Sequence, residues 1–271
     1  PAFEQMNQFE TFTFVARNAY YVARRPKQIR AVDAVLTEYS EGRNHYWDRL
    51  RSAKTLEDWM RIPGVEDQPS YYGIDGRVEY KVFDSALYYR TRLLQALDKH
   101  FRNASSATEF GSGLGRNVLF LKSRNPKLKV NGYELCKPGV EIAREAARKF
   151  NIDCEYSQLD YVRGASKEYV FPPADVGFSM FSLEQLPRDN KLAVENIRKH
   201  CNLGSIHIEP VPENYPFTPR GLLGKLDHWK VDYLSSFDRN VLSIGFSEVT
   251  KEVLTSSHNP LMFPSLYVLR K

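Results

Sequence analysis

Three glycines on alternate positions, Gly111, Gly113 and Gly115, stand between the run Ala107-Thr108-Glu109-Phe110 and a segment with Val118, Leu119 and Leu121 on one apolar side. This order predicts a strand, a tight turn and a helix start. Glycine accepts the positive φ such a turn demands. Lacking Cβ, it also lets a ligand lie against the backbone, facing the free N–H groups of the helix start. An ordinary surface turn satisfies the same residues. The spacing is not the G-x-G-x-x-G of dinucleotide folds, because the third glycine comes one residue early and Arg116 takes its place.

Further candidates follow at intervals. Glu134 lies in the run 130–135, roughly twenty residues past the first glycine, where an acid can accept both hydroxyls of a ribose. Asp160 could accept from an adenine amino group, with Leu159 and Tyr161 flanking the ring. Phe181-Ser182-Leu183-Glu184 follows another apolar run. His207 and Glu209 alternate with Ile206 and Ile208, so both project from one face of a strand. His207 has the pKa range of a general base, and Glu209 and Glu184 are the other catalytic candidates. Each has a plainer role open to it. Glu134 and Asp160 fit helix N-caps or solvated strand tips, His207 with Glu209 a hydrogen-bonded structural pair, and Glu184 a helix cap.

The elements that must position these residues alternate from about residue 105. Strands are expected at 108–110, 130–135, 154–159, 175–181 and 204–209. Helices are expected from the glycine turn to Arg124, over 138–150 and over 192–201. Such alternation implies parallel βαβ units. The runs 246–254 and 265–269 have only the short link Ser257-His258-Asn259-Pro260 between them, so they should pair antiparallel. Between 211 and 240, with His228 and Trp229, lies a long insertion that fits a lid or a plain surface excursion.

Residues 1–100 differ, being rich in Tyr, Trp and Arg. They read as a helical cap, with helices at 27–39, around Tyr46, Trp47 and Leu50, and at 86–101 with Leu87, Leu94 and Leu97 inward. Thr55 with Asp58 resembles a capping box. Residues 68–77 are turn-rich and aromatic, and Pro63-Gly64 breaks the chain. Arg24, Arg25, Lys27 and Arg30 suit a phosphate patch less well than a wet helix face.

The 271 residues are 42% apolar and 26% charged, with a formal net charge of +5. No apolar run approaches the roughly 18 residues of a membrane helix, and no leader segment is expected. Three widely spaced cysteines, Cys136, Cys154 and Cys201, argue against a disulfide framework and a zinc site, so a cytoplasmic setting is expected. No P-loop, no Asn-Pro-Pro-aromatic run after the fourth strand and no cysteine at that tip are present. Nucleoside triphosphate hydrolysis, amino-group methylation of bases and covalent cytosine chemistry are thereby set aside. No compact metal-ligand cluster is visible.

The run E-x-G-x-G-x-G from Glu109, with the acids and tips that follow in order, resembles the class I S-adenosylmethionine-dependent methyltransferases over about 105–271. The resemblance implies an α/β fold, a Rossmann-like mostly parallel seven-stranded sheet with a terminal antiparallel strand. It implies S-adenosylmethionine as cofactor and S-adenosylhomocysteine as product. Glu109, Gly111, Ser112, Gly113 and Gly115 would hold the methionine part, Glu134 the ribose, and Asp160 and Tyr161 the adenine, with Leu135 a further cofactor-binding residue. Phe181 and Ser182 would close the floor. The aromatic cap favours a small-molecule acceptor, methylated on oxygen or nitrogen, over RNA or protein. A non-catalytic nucleotide-binding module is the third reading. A homodimer is compatible with all three.

Overall fold

The computed structural model describes residues 8–29, 37, 44–61, 68–163, 171–186 and 188–271. Most of the helix expected at 27–39, together with Arg30, Pro63-Gly64 and Pro187, lies outside them.

A seven-stranded sheet forms the centre. Its strands are β3 (Ser106–Phe110), β4 (Lys129–Glu134), β5 (Glu155–Gln158), β6 (Ala174–Met180), β7 (Cys201–Pro210), β8 (Glu248–Val253) and β10 (Pro264–Arg270), in the order β5-β4-β3-β6-β7-β10-β8. The pairs from β5 to β7 are parallel, and β10 runs antiparallel to both β7 and β8. The expected fold class holds. Strand order reverses beside β3, because β4 and β6 lie on its two sides. In an open sheet this is where a crevice forms, outside the carboxyl ends of the strands.

Two apolar layers cover the sheet. Ala107, Val130, Val176, Ile206 and Val268 face α4 (Ser85–His100), α5 (Arg116–Arg124) and α6 (Lys137–Lys149). Phe110, Tyr133, Tyr267 and Leu269 face α7 (Asn190–His200) and α9 (Phe237–Ser243). Pro138 opens α6, whose Val140, Ile142, Ala143, Ala146 and Ala147 are buried at helical spacing. Asp84 caps α4, its Oδ1 accepting Leu87 N–H at 2.7 Å. The buried stripe of α4 runs through Tyr89, Leu93, Ala96 and Leu97. Leu87, expected inward, is exposed, because it lies on the opposite side of the helix from that stripe.

The N-terminal region is not helical throughout. It contains α1 (Gln8–Arg24), α2 (Asn44–Ser52) and α3 (Leu56–Met60), the last opened by the expected Thr55–Asp58 capping box. Residues 70–81, however, form a hairpin of β1 (Ser70–Ile74) and β2 (Arg77–Lys81). Its turn, Asp75-Gly76, has φ of 45° and 79°, the backbone of a tight two-residue hairpin loop. The link between β8 and β10 is correspondingly more than a turn: β9 (Ser256–Ser257) pairs antiparallel with Gly73 and Ile74 of β1. In the insertion, α8 (Pro219–Lys230) packs on α1 through Leu223 and Val22.

Candidate active site

The crevice beside β3 is a cavity of about 410 Å³. Gly111, Ser112 and Gly113 reach it from the turn after β3, and Glu134 and Leu135 from the end of β4. Asp160 and Tyr161 line it after β5, and Phe181 and Ser182 after β6. Four strand ends thus bring together nine of the residues singled out in the sequence.

The turn has the backbone its glycines suggested. Gly111, Gly113 and Gly115 have φ of 78°, 55° and 75°. Gly111 and Ser112 N–H groups bond Tyr133 O at 2.9 and 2.8 Å, tying the turn to β4. A Cβ on Gly111 would meet Ser182 Oγ at 1.8 Å, and one on Gly115 would meet Tyr156 OH at 2.5 Å. The turn must therefore stay bare for the chain itself to pack. Glu134 is aimed into this arrangement: its Oε2 accepts Gly113 N–H at 2.7 Å and its Oε1 accepts Cys136 N–H at 2.8 Å.

Asp160 is partly spent on its own turn, Oδ1 accepting from Val162 and Arg163 N–H at 3.0 and 2.9 Å. Tyr161 OH and Ser182 Oγ share a hydrogen bond of 2.8 Å across the cavity wall. Phe181 adopts φ of 52° at the tip of β6.

Two expected binding residues stand behind the wall. Gly115 packs under Tyr156, whose hydroxyl donates to Gly115 O at 2.9 Å. Glu109 is fully buried, and burial raises its pKa to about 8. Its Oε1 accepts Asn117 Nδ2–H at 2.7 Å, and Asn117 Oδ1 accepts Arg90 Nε–H at 3.0 Å. Asn117 and Arg90 do line the cavity, so hydrogen bonds connect Glu109 to it. Arg90 was missed in the sequence, although a cation at i, i+3, i+4 and i+7 with Leu93, Leu94 and Leu97 is the signal of a polar group turned into a protein face. Arg116 also lines the cavity, with Trp59 4.7 Å from its guanidinium.

The three catalytic candidates do not line it. His207 is wholly buried, its Nδ1 2.9 Å from Ser179 Oγ and its Nε2 2.8 Å from Ser205 Oγ. Burial pulls its pKa down to about 3. Both nitrogens are occupied inside the sheet, which is the structural role rather than that of a base. Glu209 Oε1 accepts from Ser179 Oγ, Ser182 N and Leu183 N at 2.8, 3.2 and 3.1 Å, and Oε2 from Glu184 N at 3.2 Å. Burial raises its pKa to about 7 against those donors. It pins the loop that presents Ser182. Glu184 is buried, its Oε1 accepting Gln185 Nε2–H at 2.8 Å. His228 turns inward, its Nε2 2.7 Å from Leu234 O, and Trp229 stays exposed. Among the described residues no group of His, Cys, Asp and Glu suits a metal, and no helix is long and apolar enough to cross a membrane.

No family model matches the chain, and no curated protein matches it. Solved structures do. Magnesium protoporphyrin IX methyltransferase (ChlM) from Synechocystis PCC 6803, with bound S-adenosylhomocysteine, superimposes with a TM-score of 0.60 at 11% identity, covering 89% of this chain and 100% of that one. The chain has the class I methyltransferase fold. The CurJ carbon methyltransferase matches with a TM-score of 0.51 at 18% identity, over 69% of this chain and 55% of that one. The [4+2]-cyclase SpnF matches with a TM-score of 0.59 at 14% identity, over 92% and 99%. A methyltransferase fold thus carries more than one reaction, and the activity has to be argued from the site.

Proposed function

We propose that the protein transfers a methyl group from S-adenosylmethionine to an oxygen or nitrogen of a small metabolite. The observation that carries this is Glu134, held by Gly113 and Cys136 N–H at the rim of a glycine-walled cavity where the strand order reverses. Glu134 would take the ribose hydroxyls, and the turn Gly111–Gly115 the amino-acid end. Arg90, braced by Asn117, would pair with that end's carboxylate. Asp160 and Tyr161 would border the adenine. The methyl carbon of the bound cofactor comes already activated by positive sulfur. The chain's own residues then need only align the acceptor, exclude water and take a proton where the acceptor carries one. A small acceptor is supported by the aromatic side chains of α4 and the hairpin beside Phe181. The absence of a disulfide among the three cysteines suits a cytoplasmic setting.

Titration calorimetry with S-adenosylhomocysteine should give saturable binding, and Glu134→Ala should weaken it by about tenfold or more, the loss of one charged hydrogen-bond set. Methyl-labelled cofactor with host extract should then label the metabolite fraction. Label confined to RNA or protein would overturn the small acceptor, and absence of both binding and label would overturn the methyltransferase.

A further inference from the structure

The excess positive charge of the chain is concentrated in two segments that the cofactor cavity does not use. Residues 12–29, in α1 and just after it, hold Arg17, Arg24, Arg25 and Lys27 and no acid. Residues 217–230, around α8, hold Arg220, Lys225 and Lys230 with one acid, Asp227. Seven cations against one acid leave an excess of six, whereas the whole chain has an excess of five. The remainder of the molecule therefore carries no net positive charge. Neither helix contributes a residue to the cavity wall.

The fold sets the two segments side by side. Val22 of α1 packs on Leu223 of α8. Toward the C-terminal ends Arg25 Nη1 donates to Asp227 Oδ1 at 2.6 Å, and Lys230 Nζ donates to Arg25 O at 2.9 Å. The one acid is thus paired with one cation. Arg220 turns inward and is buried, its Nη1 donating to Arg77 O at 3.2 Å. Arg17, Arg24 and Lys27 remain exposed, with Lys225 and Lys230 half-buried.

What lies between these cations is apolar and aromatic. On α8, Leu222, Leu226 and Trp229 recur at helical spacing, and all three are exposed. Phe217, just before that helix, is 88% exposed. On α1, Phe12, Ala16 and Tyr20 make one exposed row, and Arg17, Tyr21 and Arg24 make the next. The rows touch. The Arg24 guanidinium lies 4.3 Å from the Tyr20 ring centre, and the Tyr20 and Tyr21 rings are 5.7 Å apart. Lys27 Nζ lies 4.2 Å from the Trp229 ring centre, which joins the α1 face to that of α8. A face meant for water alone scatters large apolar side chains singly.

We propose that this α1–α8 face docks on an anionic lipid bilayer, its aromatic and leucine side chains entering the headgroup region and its cations meeting the lipid phosphates and carboxylates. Trp and Tyr suit that layer because each has an apolar body and a polar edge. Long cationic side chains lay their stems along apolar surface and keep their charge among the headgroups. Charge and shape select this occupant over two others. A second copy of the chain, paired across a two-fold axis, would set the same cations against one another. A nucleic acid offers phosphates but no apolar layer for Leu222 and Leu226. The docking is independent of what the cofactor cavity binds.

The test mixes the full chain with sedimentable vesicles, one set of phosphatidylcholine alone and one that includes about 30% phosphatidylserine. The chain should sediment with the anionic set at about 0.1 M salt and be largely released at about 0.5 M, where screening shortens the reach of the cations. Trp229 gives a direct signal. Tryptophan emission should shift to the blue on anionic vesicles, and Trp229→Tyr should abolish the shift while Trp59, fully buried, contributes none. Arg17→Gln with Arg24→Gln should weaken sedimentation about 25-fold, roughly fivefold for each cation, with circular dichroism and Tm unchanged. Sedimentation with neither vesicle set, or equally with both, overturns the docking, as does a double variant that sediments like the wild type. Anionic binding without a Trp229 shift overturns the entry of this face into the headgroups. A chain that binds polyuridylate RNA but not vesicles, or a dimer by ultracentrifugation that Leu226→Glu splits into monomers, gives the face to another occupant and overturns the proposal.

Discussion

Single residues at this site are constrained more by one another than by solvent. Gly111 is the clearest case. Its φ of 78° already disfavours any side chain, and a Cβ would overlap Ser182 Oγ at 1.8 Å. Gly113 shares the positive φ, 55°, but a Cβ there would meet nothing within 4 Å. The conformational cost alone is about 1–2 kcal/mol, so Gly113→Ala should lower S-adenosylhomocysteine affinity by no more than about thirtyfold. Gly111→Ala must also displace Ser182, which Tyr161 and the Glu209-pinned loop hold in place. It should lose binding by calorimetry well beyond the Gly113 variant; equal losses would show that the contact with Ser182 is unimportant. The acids and glycines of this wall were legible in the sequence because strand ends fix where such side chains arrive. The burial of His207 was not. His207 carried the periodic signal of a strand residue, but periodicity tells which face a residue shares and not whether the other elements leave that face open. His258 sits in a loop without period, and only the pairing of Ser257 with Gly73 brings it beside Phe181.

Among the elements, α4 joins the cavity wall to the loop between β9 and β10. One turn of it carries Arg90 toward the cofactor cavity and Tyr89 toward His258. Its start depends on Asp84, whose side chain satisfies Leu87 N–H at 2.7 Å. Asp84→Ala should cost about 1 kcal/mol, a fall of about 2–4 °C in Tm by thermal denaturation. Asp84→Ser should keep most of the stability. If alanine and serine melt together, the cap contributes nothing. The alternating core was readable from about residue 105 onward because each βα unit buries its own apolar pattern locally. Asp75-Gly76 between aromatic runs is a strong signal for the hairpin turn, but the prolines, tyrosines and glycines around it fit a turn-rich loop equally well. β9 has only two residues, too few to show a period, and exists because β1 offers it an edge.

Across the whole molecule, the burial that builds this site also sets its dependence on pH, with two opposing groups of residues. His200, His228 and His258 are pulled down to about 4 and His207 to about 3, from 6.5, each by burial. Between pH 4 and 6.5 the unfolded chain binds protons that these folded imidazoles refuse, so stability rises with pH through that window and is lost as pH falls. Glu109 and Glu209 behave oppositely, raised by burial from 4.5 to about 8 and about 7. Between pH 4.5 and 8 the folded state holds protons that the unfolded chain has released, so stability declines as pH rises. These four imidazoles outweigh these two carboxyls up to pH 6.5; above it the two carboxyls govern the slope. Urea unfolding at pH 5, 6.5 and 8 should therefore give its highest midpoint near 6.5. Glu109→Gln retains an acceptor for Asn117 while removing one titration, and should flatten the fall between 6.5 and 8. A midpoint still climbing at pH 8, or an alkaline limb unchanged in the glutamine variant, would mean that Glu109 is ionised in the folded protein, held as an anion by Asn117 and Arg90.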